Sequence, residues 1–339
     1  MMALRPCPTT AGRSLRAPFS PFMPASPRSG IFRHFRAFSN TQPTKNGDHS
    51  LLKLRIPSGS WDSHMHVMHP RYPIVAKAAY RPTSHTIEDA LAFESSQRIE
   101  NLVLVQPSIY GFDNSCLLDA LRCIGPSRGR GVVVVDSAST EPATLRDWDK
   151  LGVRGVRINF RSSGRVPTHD ELERILSEQA QLGRSLGWMI QIHTHMSTIP
   201  LLKKIVPQLG VKVCIDHFGG PDLPRVKWEQ GEVFDPYSLT GFSSLIELLR
   251  AGKTYVKVSA PYRLSRDKDF RDLEIMTREF LRQAPNRVLY ATDWPHTRYS
   301  GISIESFTQQ CIRICGSQAM VDRIFRLNTE ELMDSGLDS

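Results

Sequence analysis

Two histidines separated by one residue, His64 and His66, end the stretch Trp61-Asp62-Ser63-His64-Met65-His66-Val67. In a β-strand, residues two apart point to the same side, so both imidazoles would project from one face. Imidazoles in that arrangement can hold a metal ion, or they can polarise a carbonyl group under attack. Because such pairs more often belong to the surface or the core, the pair alone is a weak signal.

Three further polar residues follow short apolar, β-branched runs in the same way: His193, His217 and Asp293. Each has an ordinary structural explanation when it is taken alone. Asp293 could cap a helix, and His217 could donate to a backbone carbonyl. The repetition at the ends of successive apolar runs is a stronger signal than any one residue.

Short apolar runs alternate with amphipathic segments from Lys53 onward, which predicts eight β-strands with helices between them. We expect strands at 60–67, 101–106, 131–136, 153–160, 188–193, 211–217, 255–259 and 288–293. We expect helices at 86–97, 114–123, 141–150, 169–186, 199–208, 239–250, 270–283, 304–315 and 318–327.

This alternation is typical of an α/β protein with a single-domain (β/α)8 TIM barrel, here over residues 53–339. A doubly wound open sheet is the alternative, but it seldom has eight such units. The chain also lacks the Gly-x-Gly-x-x-Gly motif and a complete P-loop motif.

The active site of a TIM barrel lies at the carboxyl ends of its strands. All five polar residues fall at such ends: His64, His66, His193, His217 and Asp293. The predicted fold therefore brings residues that are distant in sequence to one mouth, and the sequence predicts an active site there.

The arrangement resembles the amidohydrolase superfamily (amidohydrolase-related family 2), in the branch of the 2-pyrone-4,6-dicarboxylate lactonases and sulfomuconolactone hydrolases. The resemblance covers roughly residues 56–330 and rests on local motifs, of which Thr-Asp-Trp-Pro-His is the most specific. The matching stretches are 62–67, 106–108 with 111–114, 154–160, 216–222, 257–263 and 291–296.

The resemblance implies a hydrolase that opens a carboxylated lactone of the 2-pyrone or muconolactone type. Asp293 would be the general base that activates water, and His64, His66 and His217 would surround the lactone carbonyl. An aspartate among imidazoles can accept a proton from water and return it to the leaving enol oxygen.

The resemblance also implies that Arg157 and Arg263 contact the substrate carboxylates, for which a planar guanidinium is well suited. The alternative for either residue is an ion pair of little consequence. The further substrate contacts that it implies are Tyr80, Ser108, Asn159 and His296.

Two departures from the branch bear on the substrate and the metal. Gly220 stands where the dicarboxylate lactonase has an arginine, so one carboxylate contact is missing. His193 stands where that enzyme has a tyrosine, which completes a mononuclear ligand set with an open position. The predicted ligands are His64, His66, His193 and Asp293. The branch can work without a metal; we expect one divalent ion, Zn²⁺ before others, and keep the metal-free site as the alternative.

Two other functions are compatible with the same scaffold. Decarboxylases of this superfamily share the histidines and the aspartate, so metal-dependent decarboxylation of an aromatic or unsaturated acid is the alternative reaction. A barrel that has lost catalysis and only binds a metabolite is less consistent with the presence of all five polar residues at the ends of the strands.

The net charge of +9 is concentrated at the start of the chain. Residues 1–46 contain seven Lys and Arg and no acidic residue, and the remainder carries only about +2. Together with the amphipathic stretch 30–39, this composition predicts a mitochondrial transit peptide, cut after Phe38, and a matrix location. A disordered basic tail is the alternative.

The remaining composition limits the partners. A nearly neutral body gives no support for a nucleic-acid partner, and no apolar run approaches the ~18–20 residues of a membrane span. The six cysteines show neither a disulfide framework nor a zinc-finger spacing, so reduced thiols are expected. The predicted partner is a small carboxylated molecule.

Overall fold

The computed structural model of the chain describes residues 54–161, 164 and 166–334, so the predicted leader at 1–46 lies outside the described residues. Eight parallel strands form one sheet in sequence order, which confirms the predicted barrel. The strands are β1 Trp61–Met65, β2 Asn101–Val105, β3 Gly129–Val133, β4 Val153–Asn159, β5 Met189–His193, β6 Val213–Ile215, β7 Thr254–Val258 and β8 Val288–Tyr290.

Helices follow the strands and cover the outside of the sheet, as parallel strands require. The α-helices are α1 Ile87–Gln97, α2 Ser115–Ile124, α3 Pro142–Lys150, α4 His169–Arg184, α5 Ile199–Ile205, α6 Phe242–Arg250, α7 Pro261–Leu264, α8 Arg271–Gln283, α9 Glu305–Cys315, α10 Gln318–Asp322 and α11 Asn328–Met333. A π-helical turn, Arg323–Leu327, joins α10 to α11. None of the helices in these ranges is long and apolar enough to cross a bilayer.

Several strands are shorter than the sequence predicts, and two of them stop just before a candidate residue. β6 ends at Ile215 and β8 ends at Tyr290. His217 and Asp293 have φ values of 50° and 63°. A left-handed backbone cannot continue a strand, so the chain turns where the polar side chains begin.

The amino ends of the strands are closed by packing. Leu332 and Met333 of α11 belong to one buried apolar cluster with Trp61, Met189 and Tyr255, which lie at the starts of β1, β5 and β7. Large apolar side chains removed from water at this end stabilise the barrel. The carboxyl ends of the strands are therefore the end at which a substrate can enter.

Candidate active site

Three imidazole nitrogens surround one oxygen of Asp293. Oδ1 of Asp293 lies 3.7 Å from Nε2 of His64, 3.9 Å from Nε2 of His66 and 3.7 Å from Nε2 of His217. All four side chains are buried. Among the described residues, Asp293 Oδ1 and the Nε2 atoms of His64 and His217 have no hydrogen-bond partner. Buried polar atoms without partners are uncommon, and here they face one point.

The opposite ring nitrogen of His66 fixes its protonation. Nδ1 lies 2.7 Å from the backbone oxygen of Val105. A carbonyl oxygen can only accept, so Nδ1 carries the proton and Nε2 presents a lone pair to Asp293. Burial, with the nearby charge of Arg157, lowers the pKa of His66 to about 4. A neutral His66 can therefore accept a proton or bind a metal through Nε2, but it cannot donate from that atom.

His64 rests on a buried polar layer inside the barrel. Its Nδ1 lies 3.3 Å from Oδ1 of Asp216, and Nζ of Lys257 lies 3.7 Å from the same oxygen. Nε2 of Gln191 donates to Oδ2 of Asp216 at 3.1 Å, and Nζ of Lys257 donates to Oε1 of Gln191 at 2.7 Å. Burial and Lys257 lower the pKa of His64 well below its usual value. Nδ1 of His64 also lies 3.3 Å from Nε2 of Gln191 and 3.4 Å from Nζ of Lys257, so this atom has both an acceptor and two donors within reach, while Nε2 faces Asp293.

His217 and His193 lie side by side, with ring centroids 4.9 Å apart. Nδ1 of His217 is 2.7 Å from the hydroxyl of Ser259, which fixes the ring. Possible ligand atoms of His64, His217 and Asp293 all lie within 4.8 Å of one another, and the predicted ligands His66 and His193 are both outside this group. The structure thus gathers two histidines and the aspartate into a group that could hold a metal ion.

Asp293 is held from its other oxygen. Oδ2 accepts from the hydroxyl of Tyr262 at 2.6 Å and from Nη2 of Arg263 at 3.0 Å. Burial and Asp293 raise the pKa of Tyr262, so the phenol stays a donor. For Arg263, burial opposes the charged form, but the charge of Asp293 outweighs it and the pKa is raised. The two donors leave Oδ1 as the free, reactive oxygen.

Arg157 and Arg263, both predicted to contact a substrate carboxylate, differ in their partners within the protein. Arg263 is paired with Asp293, whereas Arg157 has no carboxylate within 4 Å among the described residues. Arg157 is buried on β4, and its Nη1 donates to the backbone oxygen of Gln106 at 2.5 Å. Its Nε has no partner in the described part of the chain, and burial lowers its pKa. A buried guanidinium in this state is suited to an anionic ligand.

The remaining predicted contacts stand at or after the carboxyl ends of β1, β2, β4 and β8. Tyr80 and His296 line a cavity of about 550 Å³ between the segments that follow β1 and β8. The His296 ring lies 5.1 Å from that of Tyr262. Asn159 ends β4 in register with His193, and Ser108 begins a short 3₁₀ turn after β2.

A profile of the amidohydrolase family matches residues 61–334. The chain belongs to this family. It is 34% identical over 256 residues to a 4-sulfomuconolactone hydrolase of Hydrogenophaga intermedia, covering 73% of this chain and 78% of the relative. It is 30% identical over 259 residues to a 2-pyrone-4,6-dicarboxylate hydrolase of Comamonas testosteroni, covering 72% and 79%.

Solved structures share the fold. A Pseudomonas putida protein assigned as a 2-pyrone-4,6-dicarboxylic acid hydrolase superposes with a TM-score of 0.67 at 29% identity, covering 84% of this chain and 100% of the other. The family and its hydrolase relatives make this amidohydrolase an enzyme of the hydrolase class.

Sequence reasoning missed several residues that support the centre. Gln191 stands two residues before His193 on β5, and Lys257 stands two residues before Ser259. Residues two apart point to the same side of a strand, so this spacing was the available signal. Tyr262, which binds the reactive aspartate, had no such signal.

Proposed function

We propose that this amidohydrolase opens a carboxylated lactone of the 2-pyrone or muconolactone type. The observation that carries the proposal is the free Oδ1 of Asp293, buried among three imidazole Nε2 atoms. The relatives that hydrolyse such lactones support the substrate class. The buried Arg157 supplies a cation for the carboxylate.

Asp293 acts as the general base in this proposal. Its Oδ1 accepts a proton from water as the water oxygen bonds to the ring carbonyl carbon. The carbonyl electron pair then returns and the ring C–O bond breaks. The leaving enol oxygen takes the proton from Asp293, so that one water is consumed and an open-chain acid is released. Tyr262 and Arg263 hold Oδ2 and keep Oδ1 directed at the water.

The donor set favours a divalent metal, and we propose Zn²⁺. Because His66 carries its proton on Nδ1, its Nε2 cannot donate to a developing oxyanion, but it can bind a cation. His64, His217 and Asp293 would hold the ion with His66, and His193 stays a predicted ligand. When bound, such an ion supplies Lewis-acid polarisation of the carbonyl.

Metal content measured on variants tests the ligand set. We expect His217→Ala to purify with much less zinc than wild type, and His193→Ala also to lose zinc if it is a ligand. Inductively coupled plasma analysis gives the ratio of metal to protein. Retention of stoichiometric zinc by His217→Ala, or a wild-type protein that stays active and free of metal after chelation, would contradict the proposed set.

The substrate is proposed to sit with its carboxylate at Arg157. Arg263, which already holds Asp293, and Tyr80, Ser108, Asn159 and His296 are proposed as further contacts. One carboxylate contact fewer than in the dicarboxylate lactonase favours a lactone with a single strong anionic group near the ring.

A substrate panel tests the reaction class. Purified protein is incubated with 2-pyrone-4,6-dicarboxylate, muconolactones and aromatic acids, and the products are identified by mass spectrometry while released carbon dioxide is measured. We expect a gain of one water on a lactone and no carbon dioxide. Carbon dioxide from an aromatic or unsaturated acid, with no lactone opened, would establish the decarboxylase instead.

A further inference from the structure

The junction between β8 and β1 carries the reactive residues, yet it differs from the other junctions of the barrel. Each neighbouring pair from β1–β2 to β7–β8 forms a ladder. Between β8 and β1, the described residues show only an isolated bridge, between Met65 and Trp294. Two backbone bonds accompany it, from Asp293 N to the His64 oxygen at 3.0 Å and from His66 N to the Trp294 oxygen at 2.9 Å.

A buried side chain, Asp62, provides further bonds at this junction. Its Oδ1 accepts from the backbone nitrogens of His64 at 2.9 Å and Thr292 at 3.1 Å. Its Oδ2 accepts from the hydroxyl of Thr292. The Thr292 oxygen in turn accepts from the backbone nitrogen of Trp294 at 3.0 Å. Asp62 therefore ties both chain neighbours of Asp293 to the strand that carries the histidines.

The contacts of Asp62 account for an unfavourable backbone. Asp293 has a φ of 63°, a left-handed conformation that is unfavourable for a non-glycine residue and persists only where its surroundings impose it. On either side of Asp293, Thr292 and Trp294 are fixed through the carboxylate of Asp62. Hydrogen bonds to the residues on both sides of Asp293 therefore fix the turn that directs Asp293 toward the histidines.

Glu94 of α1 completes the surroundings of Asp62. Neither oxygen of its buried carboxyl group has a hydrogen-bond partner among the described residues. Burial and the charge of Asp62 raise the pKa of Glu94 well above its usual value. The bonds that Asp62 receives come from two backbone nitrogens and one hydroxyl, all of His64 and Thr292, which are the chain positions that carry the histidines and precede Asp293.

We infer that Asp62 is a positioning residue that places the Asp293 carboxylate against the three histidines through Thr292. It touches neither substrate nor reacting atoms. Its effect on catalysis rests on the proposed hydrolysis, whereas its effect on the position of Asp293 does not. A shift of about 1 Å in a reacting group can lower a rate by about 10²-fold.

A double-mutant cycle tests this inference. Asp62→Asn keeps the shape of residue 62 but removes the acceptor for the Thr292 hydroxyl, and Thr292→Val removes that hydroxyl. With the lactone that the wild type opens, we expect each variant to lower kcat by about 10- to 100-fold with KM within about twofold. The double variant should be no slower than the slower single variant, because the contact that Asp62→Asn breaks, between Asp62 and the Thr292 hydroxyl, is already lost in Thr292→Val. Thr292→Ser keeps the hydroxyl and should keep most of the kcat.

Matched controls separate positioning from stability. Asp272→Asn and Thr277→Val alter another buried carboxylate and another buried hydroxyl, both in α8, where they bond to Ser265 and Leu273. They should lower Tm to a similar extent and leave kcat near wild type. A loss of kcat that follows Tm across all the variants would overturn the inference.

Crystal structures of the variants give a result that does not need a substrate. In Thr292→Val and Asp62→Asn, Asp293 Oδ1 should move away from the His64 and His217 Nε2 atoms, from 3.7 Å to beyond about 4.5 Å. An unmoved Asp293 overturns the inference. If the wild type opens no lactone but Asp293 moves, the proposed function fails and the positioning role stands.

Discussion

Replacing Arg157 with methionine should weaken substrate binding without weakening the fold. A charge-assisted hydrogen bond to a buried group contributes about 1.5–3 kcal/mol, which corresponds to a loss of about 10- to 150-fold in kcat/KM for a carboxylated lactone. Arg157 is a buried cation that has no carboxylate partner among the described residues. Removing its charge should therefore leave Tm unchanged or raise it.

Arg154 offers a matched control on the same strand. It is also largely buried, but it pairs with Asp149 at 3.2 Å. Arg154→Met should lower Tm and leave kcat/KM unchanged, which is the opposite pattern. Both variants are assayed on the lactone and on its methyl ester, for which Arg157→Met should lose little. Equal losses on acid and ester, or a fall in Tm for Arg157→Met as large as that of Arg154→Met, would refute a binding role.

Three further predictions follow from the site and the leader. Because the pKa of His66 is lowered from 6.5 to about 4, the unfolded chain binds more protons between these values. The free energy of unfolding of chelator-treated protein should fall as the pH drops below 6.5, on the order of 3 kcal/mol from this residue. In thermal unfolding, His66→Gln should reduce that dependence but keep the part due to His64, His193 and His217, whose pKa values are also lowered. Gly220→Ala should lower Tm steeply, since Gly220 has a φ of +65° and a Cβ there would meet the Thr194 oxygen at 2.0 Å; a wild-type Tm would contradict this backbone. A fluorescent reporter fused to residues 1–46 should enter mitochondria, and a reporter that stays in the cytosol would contradict the proposed leader.

The architecture could be predicted from the sequence because its signals are local. Thr86 followed by Asp89 predicts the start of α1, and the structure shows a capping box there. The residues at which the strands end were harder to predict. The pattern of hydrophobic residues continues through His217 and Asp293, but both residues adopt left-handed backbones, and β6 and β8 end before them.

The site could be predicted only in part, because the local sequence does not indicate which side chains form contacts across the barrel. From their positions at the ends of strands, the sequence predicts that His64, His66, His217 and Asp293 meet at one centre, and in the structure their side chains do so. The sequence did not reveal that Arg263 is held by Asp293. That contact joins the segments after β7 and β8, and its geometry depends on the turn at each of them.

The most direct test of the proposed mechanism is the kcat of Asp293→Asn on the lactone that the wild type opens. Asparagine keeps the shape of the side chain and removes the proton-accepting oxygen. General-base catalysis contributes about 10²–10⁴-fold, so kcat should fall by about that factor while circular dichroism and the unfolding transition stay those of a folded protein. A folded Asp293→Asn enzyme with near wild-type kcat would contradict the mechanism, because no other carboxylate among the described residues has a free oxygen facing the three histidines.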